Sequence, residues 1–121
     1  MINKQDFLNA IEQNIEMVRG DLLSFDFRLV GLGASRPSFT FACCKEYEEE
    51  ALFTATNGYG ITLEAYDNLH DVATYSVAIA PNKTKNLDTG LYYYDLSFNL
   101  SGQIVTLMRG SLTLLHDVKR G

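Results

Sequence analysis

The sequence has no tryptophan, two histidines far apart, and two cysteines side by side. Each scarcity excludes something. Without tryptophan, a carbohydrate platform would have to be built from tyrosine alone. Cys43 and Cys44 are adjacent, so a bond between them would be a strained vicinal disulfide, unlike a framework bridge. On a strand their side chains point to opposite faces, which predicts a buried thiol at Cys43 and a reduced one at Cys44. His70 and His116 are isolated, which leaves a metal site short of ligands, and no cofactor is expected. No apolar run approaches the length of a membrane span, and Met1-Ile2-Asn3-Lys4-Gln5-Asp6 opens no signal-like stretch. A reducing cytoplasm is the expected folding compartment.

Basic residues are also in the minority. Ten Lys and Arg against fifteen Asp and Glu give a net charge of −5, which disfavours nucleic acid and anionic membranes as partners. What remains is ordinary globular composition. With 121 residues, 46% hydrophobic and 21% charged, the chain can bury a single core without staples.

At the N-terminus, Phe7, Leu8, Ile11, Ile15 and Val18 recur at three- and four-residue steps. That spacing predicts an amphipathic helix over residues 1–19, capped by Asn3 and stopped at Gly20. After Gly20 the period becomes two. Leu23, Phe25, Phe27 and Leu29 alternate with polar residues, as do Phe39, Phe41 and Cys43. Further strands are expected around Leu52–Ala55, Ile61–Ala65, Thr74–Ala80, Tyr92–Leu100 and Ile104–Leu115, with Asn57-Gly58 and Ser101-Gly102 as turns and a bulge at Gly110. About seven strands separated by turns predict a mainly β fold, an antiparallel immunoglobulin-like sandwich over residues 20–118. Asp88, Gly90 and Tyr92 have the spacing of a tyrosine corner, in which Tyr92 turns its ring inward and bonds back to the preceding connector.

Chemistry is sparse. His116-Asp117 has no serine in a nucleophile elbow, and His70 falls in a turn. Glu46, Glu48, Glu49 and Glu50 lack the spacing of a calcium loop and read as a solvated loop. Arg19-Gly20-Asp21 sits at an element junction, where the glycine has a structural task. Within Tyr92-Tyr93-Tyr94, alternation leaves only Tyr93 facing outward. No enzymatic activity is expected.

Three stretches carry a resemblance: Val18-Arg19-Gly20-Asp21-Leu22-Leu23-Ser24-Phe25-Asp26-Phe27, Leu87-Asp88-Thr89-Gly90-Leu91-Tyr92-Tyr93-Tyr94-Asp95-Leu96, and Leu107-Met108-Arg109-Gly110-Ser111-Leu112-Thr113-Leu114. Over residues 18–117 the chain resembles small tailed-phage or prophage structural proteins, such as the N-terminal domain of baseplate upper proteins. The resemblance implies a non-enzymatic virion subunit made in a bacterial host cytoplasm. Its expected partners are other virion subunits or further copies of itself. Phe7, Leu8, Ile11, Ile15 and Tyr93 are the candidate contact residues. The alternative expectation is a ligand- or carbohydrate-binding adhesion module displayed on a virion.

Overall fold

Along the chain run β1 (Ile2–Asn3), β2 (Ile11–Glu12), β3 (Ile15–Val18), β4 (Leu23–Val30), β5 (Ser38–Cys44), β6 (Phe53–Asn57), β7 (Gly60–Asp67), β8 (Val72–Ile79), β9 (Gly90–Leu100) and β10 (Gln103–Leu115). The structure is a computed structural model that describes residues 2–3, 10–33 and 35–118. One turn of 3-10 helix, Pro81–Lys83, lies in the connection from β8 to β9.

The fold is mainly β. Hydrogen bonding joins the strands in the order β1-β4-β8-β7-β6-β5-β9-β10-β2, with β3 also on β10. The sheet is mixed, where an antiparallel one was expected. Strands β2 and β3 run parallel to β10, β1 runs parallel to β4, and β6 meets β7 in parallel through Thr56 with Gly60 and Asn57 with Ile61. The remaining pairs are antiparallel. The sheet is curled, and that short parallel step joins β6 to β7.

Curling lays the inward face of β4 and β8 over that of β5 and β9. The Phe39 ring lies 4.5 Å from Tyr75, 5.3 Å from Phe27 and 5.8 Å from Phe98, centroid to centroid. Phe41 stacks on Tyr94 at 5.2 Å. Such offset and edge contacts add to the area the rings remove from water. Most aromatic side chains are thus core, with Leu29, Ile61, Val77, Leu96 and Leu112 filling the space around them.

Among the described residues the expected helix over 1–19 is absent. Residues 11–12 and 15–18 are strands, and Asn3 belongs to a strand rather than capping a helix. Ile11, Ile15 and Val18 satisfy a helical period, but Ile15, Glu16 and Met17 also alternate. β-Branched Ile15 and Val18 suit a strand, and β10 would otherwise present an open edge. Ile15 pairs with Leu112 and Met17 with Leu114, and Met17 is buried there. Phe7 and Leu8 lie outside the described residues.

Gly110 does not mark the bulge. The register shift falls between Thr106 and Met108, so the inward positions change from Val105 and Leu107 to Leu112 and Leu114. An extra residue reverses the faces of everything after it. Gly110 instead accommodates the Gln13–Asn14 segment between β2 and β3. A Cβ there would collide with the Gln13 carbonyl group and stand 3.1 Å from Asn14 Oδ1.

Candidate interaction surface

Outward from the core, β5, β9 and β10 present one broad face. Strand register sets Cys44 beside Tyr93, Tyr93 beside Ser111, and Ala42 beside Asp95, with Asp95 in turn beside Arg109. Arg109 points outward only because of the bulge at Leu107. The loop after β5 folds back over this face and brings Tyr47 onto it. The Tyr47 ring lies 4.8 Å from Tyr93, and the Arg109 guanidinium lies 4.6 Å from the centre of the Tyr47 ring. The Tyr47 hydroxyl donates to the Gly110 carbonyl oxygen at 3.3 Å. Lys45 anchors the start of the loop by donating from Nζ to the Leu91 carbonyl oxygen at 3.1 Å.

Arg109, Tyr47 and Tyr93 therefore form one cluster, with the guanidinium over the Tyr47 ring and the two rings tilted by 36° to each other. Partial burial raises the Asp95 carboxyl above its ordinary range, and the neighbouring Arg109 offsets part of that rise. The Cys44 thiol is raised too, first by burial and then by Asp95, Glu49 and Glu46. A thiol held protonated by acidic neighbours is a poor nucleophile. The face offers aromatic area, one guanidinium and a margin of carboxylates, which suits non-covalent contact.

The candidate contact residues fall apart into separate places. Ile11, on β2, is 40% exposed and paired with Met108, whereas Ile15 packs at the margin of the core. Tyr93 does lie on the outward face, under Tyr47. Tyr47 was hidden in the sequence by its acidic neighbours, and Arg109 by the bulge that sets its direction. The change of phase between Leu107 and Leu112 is the signal that could have found Arg109.

The Tyr92 hydroxyl donates to the Asp88 carbonyl oxygen at 2.7 Å, and Gly90 takes φ +133°, a region that favours glycine. Arg19-Gly20-Asp21 is engaged internally. Arg19 pairs with Asp117 at 2.9 Å and donates to the Leu87 carbonyl oxygen, while the Gly20 amide donates to the buried Thr84 hydroxyl. His70 Nδ1 lies 2.7 Å from Asp67 Oδ2, both well exposed. His116 Nε2 lies 3.3 Å from the Thr89 hydroxyl. Among the described residues no three His, Cys, Asp or Glu side chains converge on a metal site, and no helix is long and apolar enough to cross a membrane.

No family model matches the chain, and no curated protein sequence matches it. Solved structures do. A family 123 glycoside hydrolase from Clostridium perfringens, described for glycolipid glycan hydrolysis, is similar over 96% of this chain at 13% identity and a TM-score of 0.55. The likeness covers 26% of that enzyme's length and is one of fold alone. The NK cell receptor NKp44, a triggering partner in natural cytotoxicity, is similar over 88% of this chain and 99% of its own, at 15% identity and a TM-score of 0.39.

Proposed function

We propose that this chain is a non-enzymatic protein–protein contact module with an immunoglobulin-like sandwich fold, working as a tailed-phage or prophage virion subunit. The sandwich reading is supported by strand order. One arm, β1-β4-β8-β7, and the other, β6-β5-β9-β10 with β2 and β3, follow the arrangement of variable-type immunoglobulin sheets. The Tyr92–Asp88 corner stands where that fold carries one. The virion reading is supported by the sequence resemblance over residues 18–117.

The observation that carries the contact role is the Arg109–Tyr47–Tyr93 cluster on the outward face. Tyrosine and arginine are enriched where interfaces hold most of their binding energy, because each combines apolar area with a directed polar end. Here their order is set before any partner arrives, which lowers the entropy cost of association.

Mass spectrometry of purified particles from an induced lysogen tests the reading. The chain is expected in the particle at a fixed copy number. A Tyr93→Ala, Arg109→Ala double variant should fold, by circular dichroism, yet fail to incorporate. Absence of the wild-type chain from particles overturns the virion role. Normal incorporation of the double variant overturns the face.

A carbohydrate reading rests on Tyr59, a residue 82% exposed at the β6–β7 turn beside a hollow lined by Ala78, Asn82 and Lys83. Glycan-array binding that is lost in Tyr59→Ala would favour it. A silent array would count against it.

A further inference from the structure

The outer face of the other arm holds a groove that the contact module does not use. Across β4, β8 and β7, register places Arg28, Thr74 and Ala65 in one row and Val30, Val72 and Asp67 in the next. With His70 from the β7–β8 turn, these residues line an open groove of about 550 Å³. Val30, Val72, Ala65 and the Thr74 methyl make its floor apolar.

Its rim is charged, and the charges differ in how far they are committed. Asp67 is committed: Oδ1 accepts from the Leu69 and His70 amides at 3.0 and 3.2 Å, and Oδ2 meets His70 Nδ1 at 2.7 Å. Those donors hold its carboxyl below the usual range. Arg28 is not committed, since it has no hydrogen bond or ion pair with any described residue. Beyond Arg28 the next row, Asp26 with Ser76, is acidic, and Ser76 holds Glu64 at 2.7 Å. That row closes the groove to anions on one side. Arg28 is thus the uncommitted charge of the lining, and it stands beside the apolar floor.

We propose that this groove binds a small apolar carboxylate. The apolar body lies on Val30, Val72 and Ala65, and the carboxylate takes two parallel hydrogen bonds from the Arg28 guanidinium. The size is that of ordinary small-molecule sites. The same chemistry is offered by a free short branched acid or by the last residue of a peptide chain.

The test is a titration of the whole 15N-labelled chain, followed by amide shifts in NMR, with three probes: 4-methylpentanoate, N-acetyl-leucine and N-acetyl-leucinamide. Either acid should give saturable, millimolar shifts centred on Val30, Val72 and His70. The uncharged leucinamide should not saturate. Tighter binding of N-acetyl-leucine would assign the site to a peptide end, and tighter binding of 4-methylpentanoate to a free acid. Arg28→Gln, an exposed change that leaves the core intact, should weaken the acids by about tenfold or more. Val72→Phe, which fills the groove, should abolish binding. Leucinamide binding as well as the acids, an unaffected Arg28→Gln, or no shifts with either acid overturns the proposal. None of these outcomes bears on the Tyr47–Tyr93 face.

Discussion

The hydroxyl of Tyr94 donates to the backbone carbonyl oxygen of Gln13 across 2.6 Å, although 81 residues separate the two. Tyr94 is fully buried, so this bond satisfies its only side-chain polar atom and pins the N-terminal strap to the core. Around it the Gln13 amide donates to the Arg109 carbonyl oxygen at 3.0 Å, and Ser111 donates its amide to Asn14 Oδ1 at 3.1 Å. Tyr94→Phe keeps the ring but leaves the Gln13 carbonyl without that donor, a loss of about 1–3 kcal/mol. Hydrogen exchange over residues 10–19 should quicken far more than exchange in β8. Equal quickening in both would show that the bond serves the whole fold and not the strap.

Gly110 gives the strap its room. Its φ is not positive, so any cost of a side chain there is steric rather than conformational. In Gly110→Ala the new Cβ meets the Gln13 backbone, and overpacking of this kind costs about 1–3 kcal/mol. Thermal unfolding should show a lowered midpoint, and limited proteolysis should cut first within residues 10–19. Wild-type stability with a protected strap would mean the Gln13–Asn14 segment does not sit over β10.

How much of this was legible in the sequence depends on the range of the interaction. Strands β4, β5, β8 and β9 were readable because Leu23–Leu29, Phe39–Cys43, Tyr75–Ile79 and Tyr92–Phe98 alternate, and alternation is local. The Tyr92–Asp88 hydrogen bond is local too, because its two residues lie four apart. The strap was not readable. Ile11, Ile15 and Val18 are compatible with two periods, and only the open edge of β10, almost a hundred residues away, decides between them. Arg109 and Tyr47 were hidden for a related reason. Arg109 faces outward through a one-residue bulge, and Tyr47 arrives on a loop without periodicity. The row of Arg28, Thr74 and Ala65 needs three strands in register, with a second shift between Leu63 and Ala65.

The two cysteines should behave unlike each other despite being neighbours. Cys43 points into the core beside Tyr94 and is fully buried, with its thiol pushed up to about 12 by burial and then by Cys44. Cys44 lies on the outward face, half-buried among carboxylates. In the native chain a thiol reagent should label one cysteine per molecule, more slowly than free cysteine, and both after denaturation. Labelling of two thiols in the native state would contradict the placement of Cys43.

Alkaline pH should unfold this protein well before it disrupts an ordinary salt bridge. Burial raises Tyr94 to about 12 from 10.0, and Cys43 to about 12 from 9.0. Tyr75 and Tyr92 are raised as well, first by burial, and Tyr66 first by its hydrogen bond to Asp71. All these groups are neutral when protonated, so the folded chain holds protons that the unfolded chain releases. As pH rises past 9.0 the unfolded state binds fewer protons than the native one, and stability falls with pH. The loss begins with Cys43, deepens above pH 10.0 as Tyr94 joins, and levels only near pH 12. Urea midpoints measured from pH 8 upward should decline along this course. Cys43→Ala should make the early part of the decline shallower, leaving only the share of the raised Cys44 thiol below the tyrosine range, and Tyr94→Phe should flatten its later part. Tyrosinate absorbance near 295 nm distinguishes the cause: a fraction of the seven tyrosines should ionise only together with loss of the β circular dichroism signal. If all seven titrate smoothly near pH 10 while that signal persists, the buried hydroxyls are not where the fold places them.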